Sequence, residues 1–249
     1  MRSIFHSMIK SKLSEISTKK SHLNLLDLIL CGNDQTEGNL HMSNEELRDE
    51  MMTFILAGHE TSSLSLTYTI WLLCLHPEIQ EKCRQEIFTK IGSDNTDVNV
   101  ELTWEKIESL HYTKAVIYES LRLYPPLPMF TRTALADDVL CGYEIPKGTG
   151  VIVLTAQMQR HEDTWPETFS FQPERFLDES SVPWESWMPF GEGIHKCIGY
   201  KFALIEIEVV LCLLLKTFKF TTEKKDLIKL EQFVTLQPAE TIFVSAELI

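Results

Sequence analysis

A single cysteine, Cys197, follows a glycine-rich turn and precedes a long apolar segment, residues 200–218. The segment predicts a helix, and a thiolate near its start is favoured by free backbone N–H groups and by the helix dipole. Gly193 and Gly199 would let the backbone approach a flat group and the sulfur closely, and Phe190 would cover the sulfur. This pattern suits a thiolate that binds a haem iron from one side. The alternative is a buried structural cysteine followed by a core helix.

The spacing Phe-x-x-Gly-x-x-x-Cys-x-Gly of residues 190–199 resembles the haem-ligand loop of the cytochromes P-450. The resemblance implies that the chain binds haem b (iron protoporphyrin IX) with Cys197 as its axial thiolate, and that Phe190 and Gly193 belong to the cofactor-binding loop. The family pattern has arginine two residues before the cysteine, whereas this chain has His195. Histidine there would weaken one contact to a haem propionate, because it is mostly neutral at pH 7 and cannot make a bidentate contact.

A second long apolar segment runs from about residue 43 to residue 75. Ser43 and Glu46 have the spacing of a capping box, and Pro77 predicts the end of the helix. After Phe54 the segment is apolar nearly all round, which predicts a buried helix.

An acid and a hydroxyl follow a glycine in the middle of this helix, in the sequence Ala57 to Ser62. Gly58 would weaken the helix, and Thr61 could bond back to the carbonyl of Ala57, which predicts a kink or widened turn. The segment resembles the Ala/Gly-Gly-x-Asp/Glu-Thr-Thr/Ser motif of the same family, which implies that Glu60 and Thr61 relay protons to dioxygen. The alternative is a threonine satisfied by its own helix and a glutamate satisfied by a salt bridge.

Two further motifs contain charged residues. Glu119 and Arg122 are three residues apart in a helix predicted from about residue 113 to residue 123, so they can pair. Most such pairs are solvated and contribute little stability. The resemblance implies that Arg175, in the segment Pro-Glu-Arg-Phe, joins them in a structural triad. A buried cluster of this kind specifies geometry more than it adds stability.

Short apolar runs alternate with turn residues from about residue 127 to residue 154, which predicts hairpins of a small sheet. The resemblance implies that Arg132 is a haem-propionate ligand and that residues 127–130 line the substrate side of the pocket. The alternative for Arg132 is an ordinary surface arginine.

These motifs occur in the family's order over residues 40–249. The implied fold class is mainly helical with small antiparallel β-sheets, a cytochrome P-450-like fold truncated at its N-terminal side. We expect an N-terminal helix and linker over residues 1–42, and the C-terminal haem-binding part of a single domain over residues 43–249. The length is about half that of a typical member, so we expect a partial product or fragment.

Composition narrows the classes of function. The net charge of −13 argues against nucleic-acid binding. The longest unbroken apolar run, residues 209–215, is too short to span a bilayer, so we expect no transmembrane anchor in this chain. Hydrophobic content of 44% and cysteines without metal spacing are typical of a soluble intracellular protein.

The resemblance implies a haem-thiolate monooxygenase that inserts one atom of dioxygen into a small apolar substrate. Its electrons would come from an NADPH-dependent cytochrome reductase that docks on the cysteine side, where Lys196 and Lys201 offer positive charge. The implied location is the cytosolic face of the endoplasmic reticulum membrane. Two alternatives stay open: a haem-thiolate isomerase or dehydratase, against which Glu60 and Thr61 argue, and a catalytically incomplete haem-binding fragment.

Overall fold

The computed structural model describes residues 25–34, 42–92, 102–224 and 228–249. Residues 1–24 and 35–41 of the expected N-terminal helix and linker lie outside the described residues. The helices are α1 (Leu25–Asp34), α2 (Asn44–Leu75), α3 (Pro77–Ile91), α4 (Trp104–Glu108), α5 (His111–Leu123), α6 (Thr155–Met158) and α7 (Tyr200–Thr217). The strands are β1 (Phe130–Thr133), β2 (Asp138–Leu140), β3 (Tyr143–Ile145), β4 (Gly150–Val153), β5 (Phe218–Thr221), β6 (Leu230–Gln232), β7 (Leu236–Pro238) and β8 (Ser245–Leu248).

The chain divides into two compact units, Met1–Glu60 and Thr61–Ile249. In the first unit, Leu26 and Leu30 of α1 form a small apolar cluster with Leu47 and Met51 of α2. The boundary between these units falls inside α2, and the domain division at residue 42 stays a prediction.

The capping box at the start of α2 is confirmed. The backbone N–H and hydroxyl of Ser43 both donate to the Glu46 carboxylate, at 2.8 and 2.9 Å, and the Glu46 N–H donates back to the Ser43 hydroxyl at 3.3 Å. These bonds satisfy N–H groups that the first turn of a helix leaves without partners.

Helix α2 is unbroken from Asn44 to Leu75. The prediction that it is buried throughout after Phe54 is wrong for its middle, because Ile55 is 46% exposed and Leu56 is 69% exposed. Completely buried side chains occur further along α2, where Tyr68 and Leu73 are each 0% exposed. Apolar sequence alone did not distinguish these two parts, because burial depends on what packs against each turn.

The second unit has one large apolar core. Side chains from the last turns of α2 pack with those of α3, α5 and α7, and the fully buried members include Leu73, Cys83, Ile87, Val116, Leu211 and Leu215. Helix α3 begins with Pro77 at its first turn, where proline's missing N–H costs no hydrogen bond. This core packs α5, which carries Glu119 and Arg122, together with α7, which follows Cys197.

The described strands form four two-stranded antiparallel sheets: β1 with β4, β2 with β3, β5 with β8, and β6 with β7. In the first sheet, Phe130 pairs with Val153 and Arg132 with Val151. Strands β2 and β3 form an expected hairpin, and β1 and β4 pair on either side of it in sequence. The predicted fold class, mainly helical with small antiparallel sheets, is confirmed. None of the helices in the described ranges is long and apolar enough to cross a membrane.

Candidate functional site

The loop before α7 holds Cys197 at the edge of a cavity. A short 3₁₀ helix, Gly193–His195, precedes the cysteine, whose backbone N–H donates to the carbonyl of Phe190 at 2.9 Å. Helix α7 begins three residues later, with Gly199 as its N-cap. The Cys197 side chain is exposed, and it lies just before the first turn of α7, where helices leave backbone N–H groups without intrahelical partners. This is the local arrangement that the sequence predicted for a thiolate ligand.

The two loop glycines differ in backbone conformation and surroundings, and their expected role in letting the backbone approach a flat group stays a prediction. Gly193 has φ +81°, a left-handed conformation that side-chain-bearing residues rarely adopt, and no described atom lies within 4 Å of a β-carbon added there. A β-carbon on Gly199 would meet the Cys197 sulfur at 4.0 Å, which is ordinary contact. The backbone conformation at residue 193 therefore favours glycine, whereas the space around the Cys197 sulfur does not require glycine at residue 199.

A cavity of about 570 Å³ opens beside the cysteine. Its volume lies in the range of small-molecule and cofactor sites. The wall combines Cys197 and Phe190 with Arg132, His195 and Thr61, and the apolar part of the lining includes Leu121, Leu127, Met129, Phe130, Ile194, Ile198 and Ile207. An exposed thiol, the basic side chains of Arg132 and His195 and an apolar lining match what a haem-thiolate site uses, which are a sulfur ligand, partners for the propionates and apolar contacts.

Helix α2 brings Thr61 and Ser62 to this cavity. Glu60 precedes Thr61 in the helix and is partly buried at the end of the first unit. Several hydroxyls after this point bond back to carbonyls four residues earlier, including Ser65 to Thr61 at 2.8 Å and Thr69 to Ser65 at 2.7 Å. The role of Glu60 and Thr61 in proton transfer stays a prediction.

Sequence reasoning missed one acid near the site. The Ser62 hydroxyl donates to a carboxylate oxygen of Glu206 at 2.7 Å, which joins α2 to α7. The only sequence signal for Glu206 was an acidic residue inside an apolar helical run. The bond ties a carboxylate of α7 to Ser62, whose side chain lines the cavity.

Arg132 lies in β1 and lines the cavity. Its implied role as a haem-propionate ligand stays a prediction. Its guanidinium lies over the Phe130 ring at 4.5 Å and donates to the carbonyls of Thr131 and Glu192 at 2.9 and 3.1 Å. The second bond ties the sheet to the cysteine loop. Arg132 can therefore orient the loop and still present a cation to an acidic group in the cavity.

The two lysines beside Cys197 both lie over the Tyr200 ring, and Lys196 also makes an ion pair. Lys196 pairs with Glu192 at 2.8 Å, and this hydrogen bond holds the pKa of the Glu192 carboxyl below its usual value. Lys201 lies over the Tyr200 ring at 5.9 Å. The positive charge of Lys196 is therefore balanced by Glu192 within the loop, and the cationic docking surface stays a prediction.

The structure brings Glu119, Arg122 and Arg175 together. Arg122 donates to both carboxylate oxygens of Glu119, at 2.7 and 2.9 Å, and both residues are completely buried. The Arg175 Nε lies 3.4 Å from the same carboxylate, close enough for an ion pair but without hydrogen-bond alignment. Glu119 also accepts the backbone N–H of Gln172 at 3.0 Å.

The guanidinium of Arg122 also donates to the segment that precedes the cysteine loop. Arg122 donates to the carbonyls of Gln159, Thr168 and Ser170, at 2.9, 2.8 and 3.4 Å. Because every bond of this buried cation goes to a backbone carbonyl or to Glu119, the pair fixes the path of residues 159–172 relative to α5. This geometry fits a structural triad and involves no contact with the cavity.

Comparisons with known proteins agree with this geometry. The profile of the family described as "Cytochrome P450" matches residues 1–245. The chain is 38% identical over 216 residues to the bifunctional cytochrome P450/NADPH--P450 reductase 2 of Bacillus subtilis (strain 168), covering 86% of this chain and 20% of that protein. It is 32% identical over 231 residues to cytochrome P450 4V2 of Homo sapiens, covering 91% of this chain and 43% of that one.

A solved structure shows the same fold. The chain superposes on the crystal structure of the cytochrome P450DA heme domain with a TM-score of 0.86 and 28% sequence identity, covering 100% of this chain and 54% of that one. The chain thus spans less than half the length of the curated relatives above. The motif order, the cysteine-bearing cavity and these matches together show that the chain belongs to the cytochrome P450 family.

Proposed function

We propose that this chain provides the haem-thiolate half of a monooxygenase site, with Cys197 as the axial ligand of haem b. The observation that carries the proposal is the exposed Cys197 thiol on the wall of an apolar cavity of about 570 Å³ that Thr61 and Arg132 also line. Proteins of this family are haem-containing monooxygenases. A thiolate-ligated haem supplies the chemistry of dioxygen activation, because electron donation from sulfur favours O–O cleavage.

Other residues of this chain would hold the haem, transfer protons and orient the substrate. Arg132 and His195 would face the propionates, and the loop from Phe190 to Cys197 would hold the thiolate. The Thr61 hydroxyl and Glu60 carboxyl would hold and pass protons in a general-acid role. Leu127, Met129 and Phe130 would orient a small apolar substrate and exclude water.

A reductase would supply the electrons. The Bacillus subtilis relative joins a cytochrome P450 and a reductase in one protein by its name, which supports a reductase partner in trans or in cis. The NADPH dependence, the docking surface on the cysteine side and the location at the endoplasmic reticulum stay predictions from the family resemblance.

The test is the carbon monoxide difference spectrum of the reduced, haem-reconstituted chain. A strongly red-shifted Soret band is expected, because thiolate ligation produces it, and Cys197→Ser should abolish the band. Cys141→Ser is the matched control, since Cys141 is the other cysteine that is exposed in the described part of the chain. A band that persists in Cys197→Ser, or that is missing from the unsubstituted chain, would contradict the proposal.

A further inference from the structure

A buried glutamine that the family motifs do not include lies between α5 and the cysteine loop. Gln159 follows the short helix α6, and its side chain is completely buried. Its amide nitrogen donates to the carbonyls of Leu121 and Arg122, both at 3.1 Å, and its amide oxygen accepts the backbone N–H of Met188 at 2.7 Å. One side chain thus bonds three backbone groups from two distant segments.

The Met188 bond begins a continuous path to the cysteine. The Met188 carbonyl accepts the N–H of Gly191 at 3.1 Å, and the Phe190 carbonyl accepts the N–H of Cys197 at 2.9 Å. Met188, Phe190 and Cys197 all line the cavity, as does Leu121, whose carbonyl Gln159 holds. The start of the cysteine loop is therefore anchored through Gln159 to the end of α5.

The end of α5 is hydrogen-bonded in turn to the backbone of Gln159. Arg122, the buried partner of Glu119, donates to the backbone carbonyl of Gln159 at 2.9 Å while the Gln159 amide donates to the Arg122 carbonyl. This reciprocal pair couples the Glu119–Arg122 cluster to the loop. A buried amide with these partners leaves costly unsatisfied groups if it is removed, so its bonds determine the local backbone path.

We propose that Gln159 is a positioning residue that fixes where the Cys197 loop lies relative to the cavity. It does so because its hydrogen bonds link Met188, at the start of the loop, to the end of α5 that carries the Glu119–Arg122 cluster. The inference rests on the proposed function, because the position of the thiolate matters only if Cys197 binds iron. Outer partners of this kind commonly tune how a metal ligand is presented.

Gln80 provides a matched control. It is also a buried glutamine, 2% exposed, and its amide donates to the carbonyls of Leu73 and Phe220 at 3.0 and 2.9 Å and accepts the N–H of Phe220 at 2.8 Å. None of these partners belongs to the cysteine loop. Gln159→Met and Gln80→Met both remove amide bonds to buried backbone groups, and Gln80→Met also removes an acceptor of Arg84 at 3.1 Å, so the control is at least as disruptive away from the loop.

The first measurement is hydrogen–deuterium exchange of the full chain without haem. Gln159→Met should speed amide exchange in the segment 188–199 by about tenfold, whereas Gln80→Met should speed it around residues 73–80 and 218–220 and leave the loop unchanged. Equal acceleration of the loop in both variants, or none in Gln159→Met, would overturn the proposal. This readout does not depend on haem, so it separates failure of the positioning role from failure of the proposed function.

The second measurement uses Gln159→Glu in the haem-reconstituted chain. An ionised carboxylate can accept the Met188 N–H but cannot donate to the α5 carbonyls, whereas a protonated carboxyl regains one donor. Relative to the unsubstituted chain at each pH, the thiolate-type fraction of the carbon monoxide spectrum should fall at high pH and recover at low pH. A pH-independent loss of this fraction would indicate a merely structural role and overturn the inference.

Discussion

At the scale of single residues, substitution of Thr61 distinguishes a role in proton transfer from a structural role. Thr61→Ala should leave haem content unchanged but lower product formed per dioxygen consumed by roughly tenfold or more, because a positioned proton donor is lost. The measurement pairs oxygen uptake with product yield in the haem-loaded chain supplied with an NADPH-dependent reductase. Thr67→Ala is the control, since that hydroxyl bonds the carbonyl of Ser63 within the same helix at 2.7 Å. Loss of haem in Thr61→Ala would instead indicate a structural role.

Glu119 shows what a buried charge contributes. Glu119→Gln should lower the free energy of unfolding by about 3–5 kcal/mol, because the fully buried Arg122 would lose its counter-charge. Urea denaturation measures this change. Glu81→Gln, which removes the half-exposed partner of Arg84, should cost at most about 1 kcal/mol. Similar losses in the two variants would contradict the view that burial makes the Glu119 pair critical.

At the scale of elements, Glu208 lies where four helices meet. It is 7% exposed on α7, and one of its carboxylate oxygens has no hydrogen-bond partner. Charged and titratable groups of α3 (Glu86), α4 (Glu108) and α5 (Lys114 and Tyr118) act on it. Burial raises the pKa of Glu208 from 4.5 to about 7, while the Lys114 ammonium opposes this shift.

The raised pKa predicts a pH dependence of stability. From pH 4.5 to pH 7 the folded chain keeps a proton on Glu208 that the unfolded chain has released, so the contribution of this group to stability falls as pH rises. The slope is at most about 1.4 kcal/mol per pH unit, and it vanishes below and above this window.

Glu208→Gln should remove this slope. The free energy of unfolding, measured by urea denaturation from pH 4 to pH 8, should therefore favour the glutamine variant more at pH 8 than at pH 4. Glu162→Gln, at an exposed position, should follow the pH profile of the unsubstituted chain. A difference between Glu208→Gln and the unsubstituted chain that stays constant with pH would show that burial does not perturb this acid.

At the scale of the whole molecule, the two compact units have separate apolar cores. Leu30 is 1% exposed in the first, and Leu211 is 0% exposed in the second. Each leucine-to-alanine substitution should cost about 2–5 kcal/mol in its own unit. Hydrogen–deuterium exchange should show Leu30→Ala acting before residue 60 and Leu211→Ala acting from residue 61 onward. Acceleration across both units by either variant would show that they unfold together.

Sequence alone determined the features that depend on neighbours along the chain. The capping box at Ser43, the proline at the start of α3, the hairpin of β2 and β3 and the glycine-rich turn before α7 follow from local conformational preferences. The spacing around Cys197 and the order of the motifs indicated the family, because both are read directly along the chain. Glu119 and Arg122 were recognisable as a pair from their helical spacing.

Only the tertiary structure decided which distant groups meet. The bonds of Gln159 to Met188 and of Ser62 to Glu206 span long stretches of sequence, and no local pattern specifies them. The exposure of Ile55 and the neutralisation of Lys196 by Glu192 likewise depend on surroundings. Local propensity is encoded by adjacent residues, whereas burial and long-range hydrogen bonding arise from how helices pack. The sequence therefore indicated which kinds of residue surround the site, but not which distant residues they contact.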